Sequence, residues 1–322
     1  MEGGTGDDLD PDLVLSFIQA VRDRDPNGLG RFRSDEELLR RAGVTLDEGR
    51  PSVAGLLALG VHPQQFFPRY VIQAAAEPRP GDPIGVRARN QVTISGPIPR
   101  MLDEAMAWAR RTFDTTIVSA ADGTVLDRPD YPFVAFRELI ANALVHRDLD
   151  SWSEGLSVEV RLRRDRLVVS NPGGLYGITT DRLGHEGVTS ARNARLVAIC
   201  QHVRTRDTGS RVIEALASGI PTVASSLALY GLPPAKFIDA AIRFTAVLSR
   251  QQQAAVPRLT PTQQMILDAV HTELTVRELQ DRLGLTAPTI RKALRALMQR
   301  QLVIQNGGRG RITSYRYSGR GS

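Results

Sequence analysis

The chain has 322 residues, 42% of them apolar, and a formal charge of +6. That length allows two or three domains, and no apolar run reaches the ~18 residues that a membrane-spanning helix needs. The single cysteine, Cys200, excludes an internal disulfide and a cysteine-based zinc site, and the acidic, Gly-rich Met1–Asp10 lacks the pattern of a secretory signal. The expected location is the cytoplasm.

Residues 1–50 read as a helical segment. Leu13, Phe17, Ile18 and Val21 form one apolar stripe, and Ser34 with Glu37 makes a Ser-x-x-Glu capping box for a second helix. Residues 51–128 read as a connecting α/β region. Its parts are a buried run at 53–59, a turn at His62-Pro63 where the histidine is a turn residue, a strand at 70–75, a Pro/Gly/Arg-rich stretch and a helix at 99–113. Residues 129–250 read as the main domain. They carry a helix over 131–145, then strands at 156–162 and 166–170 that pair as a hairpin and end at Asn171-Pro172-Gly173-Gly174. Residues 175–206 have little regular signal and are expected to be mobile. A helix is expected over 209–218, with Thr208 as N-cap and Gly219 as its stop, followed by a short strand at 227–232.

Within the 131–145 helix, Glu138, Asn142 and His146 recur at every fourth position and form one polar stripe. Two readings stand at this point. The stripe is either a solvated face or the lining of a cleft, where burying a carboxylate and an amide calls for partners or a ligand. Asn171-Pro172-Gly173-Gly174 can equally be a simple strand-ending turn, since every residue in it is a turn former. Arg147 and Asp148 allow a surface ion pair.

Basic residues are Arg throughout, save Lys236 and Lys292, and neither lysine sits in the Gly-x-x-x-x-Gly-Lys-[Ser/Thr] of a Walker A loop. A P-loop helicase motor is excluded. From Arg258 to Ser322, eleven Arg and Lys stand against four Asp and Glu, a net of +7, which leaves −1 for residues 1–257. A basic terminal module on a near-neutral body is the electrostatic footprint of nucleic-acid binding.

That module, residues 258–317, follows a linker at 251–257 and precedes a short tail at 318–322. Thr260-Pro261-Thr262-Gln263 and Thr275-Val276-Arg277-Glu278 each open a helix with a capping box. A third helix starts at Thr286 and buries Ile290, Ala293, Leu294 and Leu297. A strand at 302–304, a turn at 306–310 and a return strand at 312–317 complete a pattern similar to a winged helix-turn-helix. Thr286, Thr289, Arg291, Lys292 and Arg295 would face the major groove of double-stranded DNA, with Arg309 and Arg311 on the wing. A winged helix that docks protein is the alternative.

Glu138-x-x-x-Asn142-Ala143-x-x-His146-Arg147-Asp148, then Asn171-Pro172-Gly173-Gly174-Leu175, Arg192-Asn193 and Thr208-Gly209 resemble, in this order, the RecG-like, Schlafen/Alba-associated transcriptional regulators. These carry a GHKL-like (Bergerat-fold) ATP-binding domain. The resemblance covers roughly residues 30–250, without the usual N-terminal Alba-like domain. It implies an α/β fold, a sandwich with helices on one face of a mixed sheet, over 129–250. It also implies that Asn142 holds Mg²⁺, that Glu138 is the catalytic base, and that His146, Asn171, Gly173, Gly174, Arg192, Thr208 and Gly209 surround ATP. The family's adenine turn has Asp where Asn171 stands, and its phosphate loop has several glycines where Gly209 stands alone. The resemblance therefore implies ATP or a related nucleotide as ligand, with slow or absent turnover. The function expected is that of a homodimeric, DNA-binding transcriptional regulator switched by ATP. A GHKL ATPase in a DNA-processing or defence assembly, and a non-catalytic scaffold, are the alternatives.

Overall fold

The computed structural model describes residues 4–119, 124–185, 190–213, 219–250, 259–299, 302–307 and 313–318. The chain divides into two units, Met1–Gln252 and Gln253–Ser322. Among the described residues no helix is long and apolar enough to cross a membrane.

The first unit opens with α1 (Pro11–Arg24), capped by Asp10, whose carboxylate accepts from the Asp12 and Leu13 amides. The helix buries the expected stripe of Leu13, Phe17, Ile18 and Val21. α2 (Asp35–Ala42) has half of its expected box. Ser34 Oγ accepts from the Glu37 amide at 3.4 Å, while the Glu37 carboxylate turns instead to Arg41 at 3.3 Å. The apolar run is α3 (Val53–Leu59), with Leu56, Leu57, Ala58 and Leu59 fully buried. β1 (Ile72–Ala76), β2 (Arg89–Ile94) and α4 (Ile98–Thr112) follow, then a separate hairpin of β3 (Thr115–Ser119) and β4 (Val125–Pro129). α5 (Phe133–Val145) leads into β5 (Val158–Leu162) and β6 (Arg166–Pro172), the expected hairpin. α6 (Ala194–Cys200), α7 (Gly219–Leu229), β7 (Lys236–Ala240) and β8 (Arg243–Ser249) complete the unit.

One sheet joins these strands in the order β2-β1-β5-β6-β8-β7. It is mixed: β1 and β5 run parallel and the other neighbours antiparallel. Burial alternates along the inner strands, with Val158 and Val160 of β5 and Ala246 and Leu248 of β8 buried. One sheet face thus meets a continuous core with α4 and α5, filled by Trp108, Phe136, Ile140 and Leu144. This is the expected mixed α/β architecture.

Three expectations fail. Residues 175–206 contain α6, which buries Leu196, Ile199 and Cys200; a seven-residue helix is too short to announce itself by periodicity. Of the helix expected over 209–218, the described residues Gly209–Ile213 are not helical, and 214–218 lie outside the described residues. Thr205–Ser210 folds into a tight turn, closed by the Thr205 amide on Ser210 O at 2.8 Å and the Gly209 amide on Thr205 O at 3.1 Å. Gly209 sits at φ +64°, where glycine is favoured. Gly219, expected as a helix stop, is itself helical in α7, with Pro221 two residues on. Leu227, expected in a strand, therefore lies in α7.

The second unit has its own core of Ile266, Val270, Leu279, Ile290, Leu294, Leu297 and Val303. α8 (Pro261–Ala269) and α9 (Val276–Leu283) both form complete capping boxes, Thr260 with Gln263 and Thr275 with Glu278. Gly284, at φ +67°, ends α9. α10 (Ala287–Gln299) buries the four residues expected of it. β9 (Leu274–Thr275), not foreseen, joins β10 (Val303–Asn306) and β11 (Ser314–Tyr317) in an antiparallel sheet of order β10-β11-β9. Arg309 and Arg311 lie outside the described residues, as do the linker at 251–257 and all of the tail beyond Ser318.

Candidate functional site

The polar stripe of α5 is not a solvated face. Glu138, Asn142 and His146 are each half-buried and line one cavity of about 370 Å³. α5 forms the wall that carries them. Val169 and Asn171 of β6, with Phe244 and Ala246 of β8, line it from the sheet, and Gly219 and Ile220 of α7 line it from the head of that helix. Gly219 makes this closure tight, for a Cβ there would lie 3.1 Å from both Asn142 Nδ2 and Glu138 Oε2. The loop 174–192 adds Tyr176, Leu183, Ser190 and Arg192.

The stripe's groups differ in state. Glu138 is held by its neighbour: Arg137 Nη1 donates to Glu138 Oε1 at 3.1 Å, and Arg137 also donates to the Arg211 carbonyl. His146 caps the end of α5, and its imidazole pKa is pushed below the usual 6.5 by burial first and by the Arg192 cation second. It is therefore a neutral ring at pH 7.

The strand-ending turn is built around a buried ion pair. Arg192 Nη1 donates to Asp148 Oδ2 at 2.6 Å and Nη2 to Gly174 O at 3.0 Å, and its guanidinium lies 5.2 Å from the Tyr176 ring centroid. The Asp148 amide in turn donates to Pro172 O at 3.0 Å. Arg147 and Asp148 are consequently not a surface pair. Both are buried, and Arg147 donates to the carbonyls of Arg69, Ser153 and Leu156. Adjacent residues on an irregular segment project apart, which the sequence does not reveal.

Both glycines of the turn answer to protein neighbours. Gly173 has φ +91°, and a Cβ on it would stand 2.7 Å from Asp148 Cβ. At Gly174 a Cβ would meet Asp239 Oδ1 at 2.8 Å and Ala240 O at 2.9 Å. Asn193 does not cap α6 with its side chain; its amide closes the end of α5, donating to Val145 O at 2.9 Å and Arg147 O at 2.7 Å.

Of the expected ligand residues, Glu138, Asn142, His146, Asn171, Gly174 and Arg192 share the cavity, while Gly173 does not line it. Thr208 and Gly209 do not line it: Thr208 bonds Thr205 and Ser210, and Gly209 O takes Arg204. The glycine that approaches the stripe is Gly219. Its only local signal was Gly219-Ile220-Pro221, a glycine two residues before a proline. Asp148, Tyr176 and Phe244 were missed as well, and they carry no local signal.

On the second unit, Thr286, Thr289, Arg291, Lys292 and Arg295 are all exposed. Thr286 Oγ1 and Thr289 Oγ1 are 2.9 Å apart at the start of α10.

Residues 155–248 match the family described as "Putative ATP-dependent DNA helicase recG C-terminal". This part of the chain is therefore similar to an ATPase-like domain of the RecG C-terminal kind. The match includes Asn171, Gly174 and Arg192 and begins after α5, so Glu138, Asn142 and His146 precede it. Among solved structures, the DIP2311 protein from Corynebacterium diphtheriae is similar over 98% of this chain and 62% of its own, with a TM-score of 0.56 and 21% identity. That likeness is one of fold, and the chain spans less than two thirds of that protein's length. No curated protein matches.

Proposed function

We propose that the first unit binds a magnesium nucleotide of the ATP class, and that the nucleotide switches the hold of the second unit on double-stranded DNA, as in a regulator. The observation that carries the first half is the convergence of Glu138 and Asn142, one helical turn apart, with Asn171 and Arg192 in a cavity of about 370 Å³. That volume lies within the range of small-molecule sites. Asn171, 7% exposed, leaves its Oδ1 without a hydrogen-bond partner. A buried acceptor without a partner, on a residue that lines the cavity, leaves that carboxamide able to turn toward a ligand.

The residues fit Mg²⁺ only when phosphate shares it. Mg²⁺ takes six oxygen ligands, commonly one or two from protein and the rest from phosphates and water. Glu138 and Asn142 offer oxygens, and among the described residues no cluster of three His, Cys, Asp or Glu exists to hold a metal alone. When bound, the ion would neutralise phosphate charge. Asn142 would supply a neutral oxygen to it, and Glu138 would orient water beside the terminal phosphate. Arg137 Nη1 already donates to Glu138 Oε1, so one oxygen of that carboxylate is taken up by the protein, which favours binding over turnover. His146, neutral, would donate or accept a single hydrogen bond without adding charge.

The second half rests on charge and exposure. The net of +7 over 258–322 and the exposed Arg291, Lys292 and Arg295 on α10 suit phosphate contact. Three helices with a small antiparallel sheet support a winged helix-turn-helix. A homodimer would present two such helices to two half-sites. Measuring duplex affinity with and without Mg-ATP tests the switch. A change of at least about fivefold, the low end of ordinary coupling, supports it, and an unchanged affinity refutes it.

A further inference from the structure

Four side chains form the floor of the cavity, two from each of two neighbouring strands. Val169 pairs with Ala246 and Asn171 with Phe244 across β6 and β8. Phe244 is fixed by stacking on Phe237, ring centroids 5.8 Å apart and planes 14° from parallel. The floor is thus apolar and part aromatic, with one polar group, the Asn171 carboxamide. A ligand lying there would be a flat ring that meets this amide with its edge.

We propose that Asn171 reads the base edge of the bound nucleotide, and that the cavity takes 6-oxo purines as well as 6-amino purines, so that guanine and adenine nucleotides both bind. The inference rests on the nucleotide reading of the cavity and adds the class of base. Asn171 Oδ1 is buried without a partner, so among the described residues no hydrogen bond to that oxygen holds the amide in one orientation. A carboxamide carries an acceptor on one side and two donors on the other. Turned one way it accepts from the exocyclic amine of adenine. Turned the other way it donates to the carbonyl oxygen of guanine. A carboxylate at this position could only accept, and would set two acceptors against each other with guanine.

The test is calorimetric titration of the full chain with Mg-ATP, Mg-GTP and Mg-CTP, for wild type, Asn171→Asp and Asn171→Ser. Wild type is expected to bind ATP and GTP within about tenfold of each other and both more tightly than CTP, whose smaller ring leaves part of the floor bare. Asn171→Asp is expected to keep ATP affinity within about threefold while weakening GTP by at least about tenfold, because a site that mispairs a buried polar group discriminates strongly. Asn171→Ser, neutral and too short to reach, should weaken both purines alike. A wild-type preference for ATP over GTP beyond tenfold overturns the proposal, as does an Asp variant with an unchanged ratio. Circular dichroism checks each variant's fold, and if the Asp variant does not fold the wild-type ratio decides. If no nucleotide binds, the reading of the cavity itself falls, a result distinct from selective ATP binding.

Discussion

Gly219 at the head of α7 stands against Asn142 on α5, so close that a Cβ at 219 would lie 3.1 Å from Asn142 Nδ2. This approach fixes the height of the cavity over the polar stripe. Gly219→Val would push a branched side chain into that space. Mg-ATP affinity should fall at least about tenfold while the thermal midpoint moves little, since the new side chain points into a void rather than a packed core. Isothermal titration checks it, and wild-type affinity in the variant would place the ligand elsewhere.

Asp148 is 4% exposed and holds Arg192 at 2.6 Å. Asp148→Ala leaves a half-buried guanidinium beside a vacated carboxylate site, and removing one partner of a buried pair costs about 3 kcal/mol. Urea unfolding of the variant should show a loss of that size. A loss under about 1 kcal/mol would be that of an exposed pair.

The helix, strand and cap patterns were legible where the signal is local. The α5 stripe, the β5–β6 hairpin and the two capping boxes of the second unit each need only residues a few positions apart. What escaped depends on the chain returning from afar. Phe244 joins Asn171 only through the β6–β8 register, and Asp148 finds Arg192 only after the loop has folded back. Gly209 and Gly219 look equally suited to end or begin a helix, and it is Gly219 that is helical, in α7. Of the ligand residues read from the sequence, those on α5 and β6 converge because both elements are regular, while Thr208 and Gly209 sit in a turn that regularity does not govern.

His146 should make stability depend on pH in one direction. Burial and Arg192 lower its pKa from the usual 6.5, so the unfolded chain binds the proton more readily. The contribution is present above pH 6.5 and is lost as pH falls through the lowered folded value. His202, lowered chiefly by burial, acts in the same sense. Urea midpoints for wild type and His146→Gln should converge as pH drops from 7 to 5. Curves that stay parallel would show that His146 stays neutral in both states.

Deleting residues 258–322 should remove most duplex affinity. In the full chain, Arg291→Ala and Lys292→Ala should each lower the slope of log affinity against log salt by about 0.9 for every phosphate left unneutralised. Thr289→Ala, near the start of α10, should instead flatten sequence preference. Titration at two salt concentrations separates the two effects, and undiminished affinity in the truncated chain would leave the second unit as a protein-docking module.

The central claim is that the α5 stripe holds a magnesium nucleotide. Titrating ATP into wild type and Asn142→Ala, each with Mg²⁺ and with excess EDTA, tests it most directly. Wild type should bind ATP with Mg²⁺ and lose at least about tenfold in affinity with EDTA, a difference of about 1.4 kcal/mol. Asn142→Ala should keep its fold by circular dichroism and show no magnesium dependence. Failure of wild type to bind at millimolar ATP, or an Asn142→Ala variant as magnesium-dependent as wild type, would contradict the claim and leave the stripe a structural feature of the fold.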